Sequence, residues 1–190
     1  LQRPDLPPAR QQEAIRIATF NVVPLDQEKV ERRGVLPALA AVVRKYDVIA
    51  LQGVDCRDRS VLARLMDEIN RDGGTYSFAT VPQPRRLSIA RGSVFIYDQR
   101  SVVVDRTTVW PVEDPQRRLA FLPLMGAFRA RGVPEEDAFT FTLVSVHVDP
   151  TRAAIERELL DDIYRAVRDD GRGEDDIILL GDLGNDHRNP

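Results

Sequence analysis

The run DIILLGDLGND, Asp176 to Asp186, constrains the fold of this chain more than any other stretch. Ile177 to Leu180 are four consecutive aliphatic residues with no polar alternation, which predicts a short strand buried on both faces. Gly181 ends the run and Asp182 follows it, so a carboxylate is expected at the strand's carboxyl end. Open α/β sheets place their ligand sites at that end. A strand covered on both faces needs a layer on each side of it, and the remaining sequence must supply those layers.

It does so by alternating strand and helix signals. Residues 14–23 alternate with Ile15, Ile17 and Thr19 on one face and Ala18, Phe20 and Val22 on the other; they predict a strand largely covered on both sides, with Asn21 near its end. Gly34 to Tyr46 carries Val35, Leu39, Val42 and Tyr46 at helical spacing, with Pro37 tolerated in the first turn. Asp47 to Gln52, DVIALQ, is a second apolar strand, and Ser60 is a candidate N-cap for a helix through Asn70. After Gly73-Gly74 the texture becomes β-rich: Tyr76 to Val81, Ser93 to Tyr97, Val102 to Val109 and Leu122 to Phe128, with a hairpin turn at Asp98 to Ser101. Phe139 to Val148 alternates strictly. A helix is expected from Pro150 and Thr151 to about Arg168, with Ile155, Leu159, Ile163 and Val167 inward.

This order predicts an α/β sandwich of two mixed β-sheets flanked by helices. Residues 1–13, with Pro4, Pro7 and Pro8, read as a polar amino-terminal arm, and residues 14–190 as a single domain. The charges, 27 basic against 30 acidic for a formal net of -3, give no footprint for non-specific nucleic-acid binding. The lone cysteine, Cys56, permits no internal disulfide framework. No apolar run approaches the ~20 residues that a membrane-spanning helix needs, and the composition does not report a compartment.

Four pieces now stand in order: IRIATFNV ending near Asn21, DVIALQGV, FTLVSVHVDP carrying His147, and DIILLGDLGND carrying Asp182. In wording and spacing they resemble the endonuclease/exonuclease/phosphatase superfamily, the deoxyribonuclease-I-like fold, over roughly Ala14 to Asp186. SVFIYDQRSVVV is similar to that family's strand–turn–strand hairpin. The resemblance implies metal-assisted cleavage of a phosphoester substrate, with Mg or Mn as cofactor. It implies catalytic roles for Asn21, His147 and Asp182, and metal ligation by Asp182.

The departures from the family pattern are equally specific. Gly53 stands where the family has a metal-binding glutamate, and Gly184 where it has an asparagine. Arg91 or Gly92 takes the place of an acidic residue, and Phe121 that of a phosphate-contacting arginine. The family's Ser-Asp-His motif would lie beyond Pro190, so the domain is expected to be incomplete at its carboxyl end. Asp55, Asn185 and Asp186 are candidate substitutes for the missing oxygen ligands; Asp55 follows Gly53 by two residues, which in an extended strand is the same face. Two functions are then open: a phosphoester hydrolase with a divergent site, or a catalytically inactive binding or structural module on the same fold.

Overall fold

The computed structural model of the chain describes residues 6–11, 14–81 and 91–184, without the side chain of Val23. Asn185, Asp186, His187, Arg85 and Arg86 lie outside the described residues. Within them, two four-stranded mixed sheets lie face to face with helices outside, the predicted α/β sandwich.

The first sheet has the order β1 (Ile17–Leu25), β2 (Val48–Asp55), β4 (Arg91–Asp98), β3 (Tyr76–Ala79). β1 and β2 run parallel, and β4 is antiparallel to both its neighbours. The second sheet has the order β5 (Val102–Pro111), β6 (Leu124–Ala130), β7 (Thr140–His147), β8 (Ile177–Asp182), with only β7 and β8 parallel. Helices α1 (Gln27–Glu31), α2 (Val35–Val43) and α3 (Arg59–Asn70) cover the first sheet. Helix α5 (Leu160–Arg168), preceded by α4 (Ala153–Glu158), covers the second.

Strand alternation sorts the apolar residues into three layers. Ile49, Leu51, Val94 and Ile96 face the helices with Leu65 and Ile69. Val48, Ala50, Phe95, Tyr97, Phe141 and Leu143 meet between the sheets. Val144 and Val146 face Ile163 and Val167. Between the sheets, Phe95 and Phe141 both pack on Phe128, the first edge to face and the second stacked.

Several elements differ from the sequence expectation. β8 is half-buried along its whole length, not fully buried, because it pairs with β7 alone among the described strands. β1 is the corresponding edge of the first sheet, and Phe20 on it is 41% exposed. An aliphatic run is thus consistent with an edge when both of its faces are packed. Asp98 to Ser101 does turn, with the Ser101 N–H donating to the Asp98 carbonyl, but it makes no hairpin. β4 and β5 belong to opposite sheets, so this turn carries the chain across the sandwich. The N-cap of α3 is Asp58, whose carboxylate accepts from the Ser60 N–H at 2.9 Å. α1 was not expected; Asp26 caps it by accepting from the Lys29 N–H. The last helix is interrupted at Leu159, and Ile155 points outward, 58% exposed. Glu156 holds the inward place instead.

At the amino ends of β1 and β2, two buried carboxylates are matched with arginines. Asp98 accepts from Arg100 at 2.9 Å, from Arg10 at 2.8 Å and from the Thr75 hydroxyl at 2.7 Å. Asp47 accepts from the Ser101 hydroxyl and the Arg16 N–H, both at 2.8 Å. Arg10 belongs to the amino-terminal arm, and its N–H also donates to the Arg100 carbonyl. Burial works against the Asp98 carboxylate, but Arg100, Thr75 and the Arg100 N–H outweigh it and hold its pKa below the ordinary value.

A carboxylate depressed in the folded state stabilises the protein above its unfolded pKa of about 4 and loses that contribution as pH falls through the folded value. Asp98→Asn should therefore cost roughly 1.5–3 kcal/mol at neutral pH, the range for hydrogen bonds to charged groups. It should also flatten the acid limb of stability. Urea unfolding across a pH series checks both; a parallel downward shift at every pH would contradict the assignment.

Candidate functional site

The layer between the sheets changes from apolar to polar at the carboxyl ends of the parallel strands. Ile15, just before β1, and Ile17 on it pack into that layer, and Thr19 and Asn21 follow on the same alternation. On β2, Val48 and Ala50 are followed by Gln52. On β7, Phe141 and Leu143 are followed by Ser145 and His147, and on β8, Ile178 and Leu180 by Asp182. Period-two geometry therefore brings Thr19, Asn21, Gln52, Ser145, His147 and Asp182 to one end of the sandwich.

The predicted trio converges there. The Asn21 amide donates to Asp182 Oδ2, a contact from the edge strand of one sheet to the edge strand of the other. Asp182 Oδ1 accepts from the Gly184 N–H at 2.9 Å. His147 and Asp182 are register partners in the β7–β8 ladder, and the Val148 N–H donates to the Asp182 carbonyl. Beneath the trio, Gln52 and Ser145 are fully buried. Gln52 Nε2 donates to Ser145 Oγ at 2.9 Å and to the Ala50 carbonyl, while Gln52 Oε1 accepts from the Thr19 hydroxyl at 3.1 Å. This buried bridge was not singled out from the sequence. Its signal was there: polar residues at positions that alternation assigns to the core.

The Phe121 ring stacks on the His147 imidazole, with centroids 4.4 Å apart and planes inclined by 8°. Burial pushes the His147 pKa below its ordinary value and Arg91 pushes the same way; Asp182 and Asp149 oppose them. The net effect favours a neutral imidazole, which can both donate and accept a hydrogen bond.

Gly53 has φ +80° and sits where the β2–β4 register shifts between Gln52 and Val54. It is thus the glycine of a bulge, a backbone conformation that a side chain strains. The bulge also changes the reading of Asp55. Val54 faces the helices with Leu51 and Ile49, so the alternation puts Asp55 back on the inner face, opposite Arg91 in the β2–β4 register. Asp55 Oδ1 accepts from the Arg57 N–H at 2.9 Å, the bond that shapes the turn into α3. Gly184 has φ +64°, and a Cβ there would lie 2.6 Å from Val148 Cγ1. Cys56 is half-buried against the core under α3, its thiol pKa raised chiefly by burial.

For a divalent cation the trio offers, among the described residues, one carboxylate, Asp182, beside an amide and an imidazole. Mg²⁺ prefers oxygen ligands and is commonly held by one or two carboxylates together with substrate phosphate. The donor set fits such a shared site, with the phosphate as the second anion. Among the described residues, the three-member cluster of potential ligands is Glu174, Asp175 and Asp176, at the opposite end of β8 from Asp182. Those groups are exposed or half-exposed, and Glu174 already accepts from the Asp176 N–H.

The His147 shift gives a prediction with a definite sign. A histidine depressed on folding adds stability above the unfolded pKa of about 6.5 and withdraws it as pH falls through the folded value. By NMR titration His147 should therefore have a midpoint below that of an ordinary histidine, and Arg91→Gln should raise it. A midpoint that ignores Arg91 would show that the guanidinium does not act on the ring.

Residues 33–190 match the Endonuclease/Exonuclease/phosphatase family. Deoxyribonuclease-1-like 1 of Homo sapiens is 32% identical over 178 residues, covering 92% of this chain and 56% of that protein. Deoxyribonuclease-1-like 2 of Homo sapiens is 28% identical over 191 residues, covering 91% of this chain and 63% of that protein. The chain thus spans less than two thirds of the length of these relatives. Among solved structures, a conserved protein of Enterococcus faecalis V583 superposes with a TM-score of 0.58 at 16% identity, over 90% of this chain and 68% of that one. ANGEL2, a 2′,3′-cyclic phosphatase, superposes with a TM-score of 0.59 at 15% identity, over 90% of this chain and 53% of that one. These likenesses agree with the sandwich described above. By its match over most of its length, the chain belongs to the Endonuclease/Exonuclease/phosphatase family.

Proposed function

We propose that this chain is a divergent divalent-metal-dependent phosphoester hydrolase, in which Asp182 and the substrate's own phosphate together hold the ion. The supporting observation is the convergence of Asn21, His147 and Asp182 at the carboxyl ends of the parallel strands, with Asn21 joined to Asp182 across the two sheets. A Mg²⁺ or Mn²⁺ bound there would neutralise phosphate charge and polarise the scissile bond.

The chain's own residues have simpler tasks. Asn21 and the Gly184 N–H orient the Asp182 carboxylate. A neutral His147 can donate a hydrogen bond to a phosphate oxygen or take up a proton from an attacking water. With one carboxylate at the centre among the described residues, the ion's affinity depends on the substrate being present. The named relatives are deoxyribonucleases, so a phosphodiester is the substrate class to test first.

A second reading is a catalytically inactive binding module. It is favoured by the Phe121 ring, which covers one face of His147 where the family pattern has an arginine, and by Arg91 acting on the same imidazole. Gly53 and Gly184 point the same way, since neither offers a ligand.

Hydrolysis of an aryl phosphodiester and of plasmid DNA with Mg²⁺ or Mn²⁺ separates the two readings. The enzyme reading expects turnover that Asp182→Ala reduces by at least ~100-fold, the scale of losing a charge-stabilising group. Turnover absent from the parent, or equal in parent and variant, would overturn it and leave the binding module. Restoring Gly184→Asn or Gly53→Glu is a poor control. The first places a Cβ against Val148, and the second strains a bulge at positive φ. Both should lower the thermal midpoint, whatever they do to activity.

A further inference from the structure

Glu156 is 1% exposed, a depth at which a carboxylate is costly unless its oxygens are engaged. Here both are. Oε1 accepts from the Ala120 N–H at 2.8 Å, and Oε2 accepts from the Asp149 N–H at 2.9 Å. Ala120 adjoins Phe121, and Asp149 lies two residues after His147. The two segments that Glu156 joins are therefore those that carry the two stacked rings. Arg152 adds a second tie: Nη1 lies 3.6 Å from Glu156 Oε1, and Nη2 donates to the Arg118 carbonyl at 2.6 Å. Asp114 holds the same loop from its other side by accepting from the Leu119 N–H.

We propose that Glu156 is a positioning residue for the candidate site, a two-handed clamp that fixes Phe121 over one face of His147. Its functional meaning rests on placing His147 in the site, but its geometry does not. The clamp joins the β5–β6 connection to the segment after β7 through main-chain N–H groups, so it acts on ring placement without touching either ring. It also accounts for Ile155 facing outward, because the inward position of that helical turn belongs to the carboxylate. By holding an aromatic wall there, the clamp closes one face of the imidazole to a ligand.

A ring-current measurement tests this without relying on turnover. The chain has two histidines, so the Cε1–H resonances of His147 and His187 form a two-peak spectrum that His187→Gln assigns. At mildly alkaline pH, with both imidazoles neutral, the His147 resonance should lie upfield under the Phe121 ring. Phe121→Leu should abolish that displacement and so define its zero. Glu156→Gln turns one acceptor into a donor facing an N–H, so it should move the His147 resonance most of the way to that zero. A Glu156→Gln protein with a lower melting temperature but an unmoved His147 resonance would overturn the proposal, leaving a purely structural carboxylate. If Glu156→Gln does not fold, Arg152→Met serves, because Arg152 is 39% exposed and its loss leaves no buried charge without its hydrogen bonds. It should shift the resonance part of the way; no shift there is equally fatal. Because none of these outcomes depends on hydrolysis, a negative phosphodiester assay leaves the test intact.

Discussion

The arrangement of this site depends on one buried amide. Gln52 lies fully inside the sandwich, where an unbonded side-chain amide costs about 1–3 kcal/mol. Its oxygen is met by Thr19 from the neighbouring strand, and its nitrogen by Ser145 from the opposite sheet. These bonds form together only if β1, β2 and β7 stand in one register and the two sheets at one spacing. An apolar contact at the same place would tolerate sliding, since dispersion is non-directional. The amide does not, so it sets the frame on which Asn21 and His147 stand one step further along β1 and β7, with Asp182 on β8 in register with His147. The Asn21–Asp182 contact then closes that frame between the two edge strands.

The glycines around the site are backbone features before they are missing ligands. A Cβ on Gly181 would lie 1.9 Å from the Val146 carbonyl oxygen, closer than any side chain can come, so β8 can approach β7 there only as glycine. Gly184 turns the chain at positive φ two residues after Asp182, and its N–H donates to the Asp182 carboxylate. Gly53 forms a bulge that returns Asp55 to the inner face. From the sequence, a glutamate is expected at the position of Gly53 and an asparagine at that of Gly184. The structure adds that the main chain has settled into conformations in which a side chain is unwelcome. Placing a donor side chain at either position therefore means remodelling the main chain as well.

The sandwich of two mixed sheets was legible because it rests on period-two alternation, and the same alternation marks His147 and Asp182 at strand ends. What the sequence concealed depends on who pairs with whom. Ile177 to Leu180 read as a fully buried strand, yet an edge strand packed on both faces has the same composition. The turn at Asp98 to Ser101 has hairpin chemistry, but β4 and β5 diverge into different sheets because each finds its partners elsewhere. Ile155 fits the helical stripe by spacing and loses its inward place to Glu156, whose partners lie at residues 120 and 149. No local signal reports such long-range bonds, and they are also what places Phe121 against His147.

The two ends of the strands handle charge in opposite ways, and the contrast bears on function. At one end, Asp47 and Asp98 are buried among Arg10, Arg16 and Arg100, so that each carboxylate is matched by guanidinium and hydroxyl donors. That end ties the amino-terminal arm to the sandwich. At the other end, Asp182 is hydrogen-bonded by an amide and a main-chain N–H, both neutral. Those bonds orient the carboxylate without cancelling its charge, and the adjacent imidazole is itself biased towards neutrality. A carboxylate oriented by neutral donors can attract a cation, and a cation there would in turn attract phosphate. The same fold can therefore spend its arginines on stability at one pole and keep a carboxylate uncancelled at the other. Arg91, which acts on the imidazole, is the register partner of Asp55 across the β2–β4 ladder.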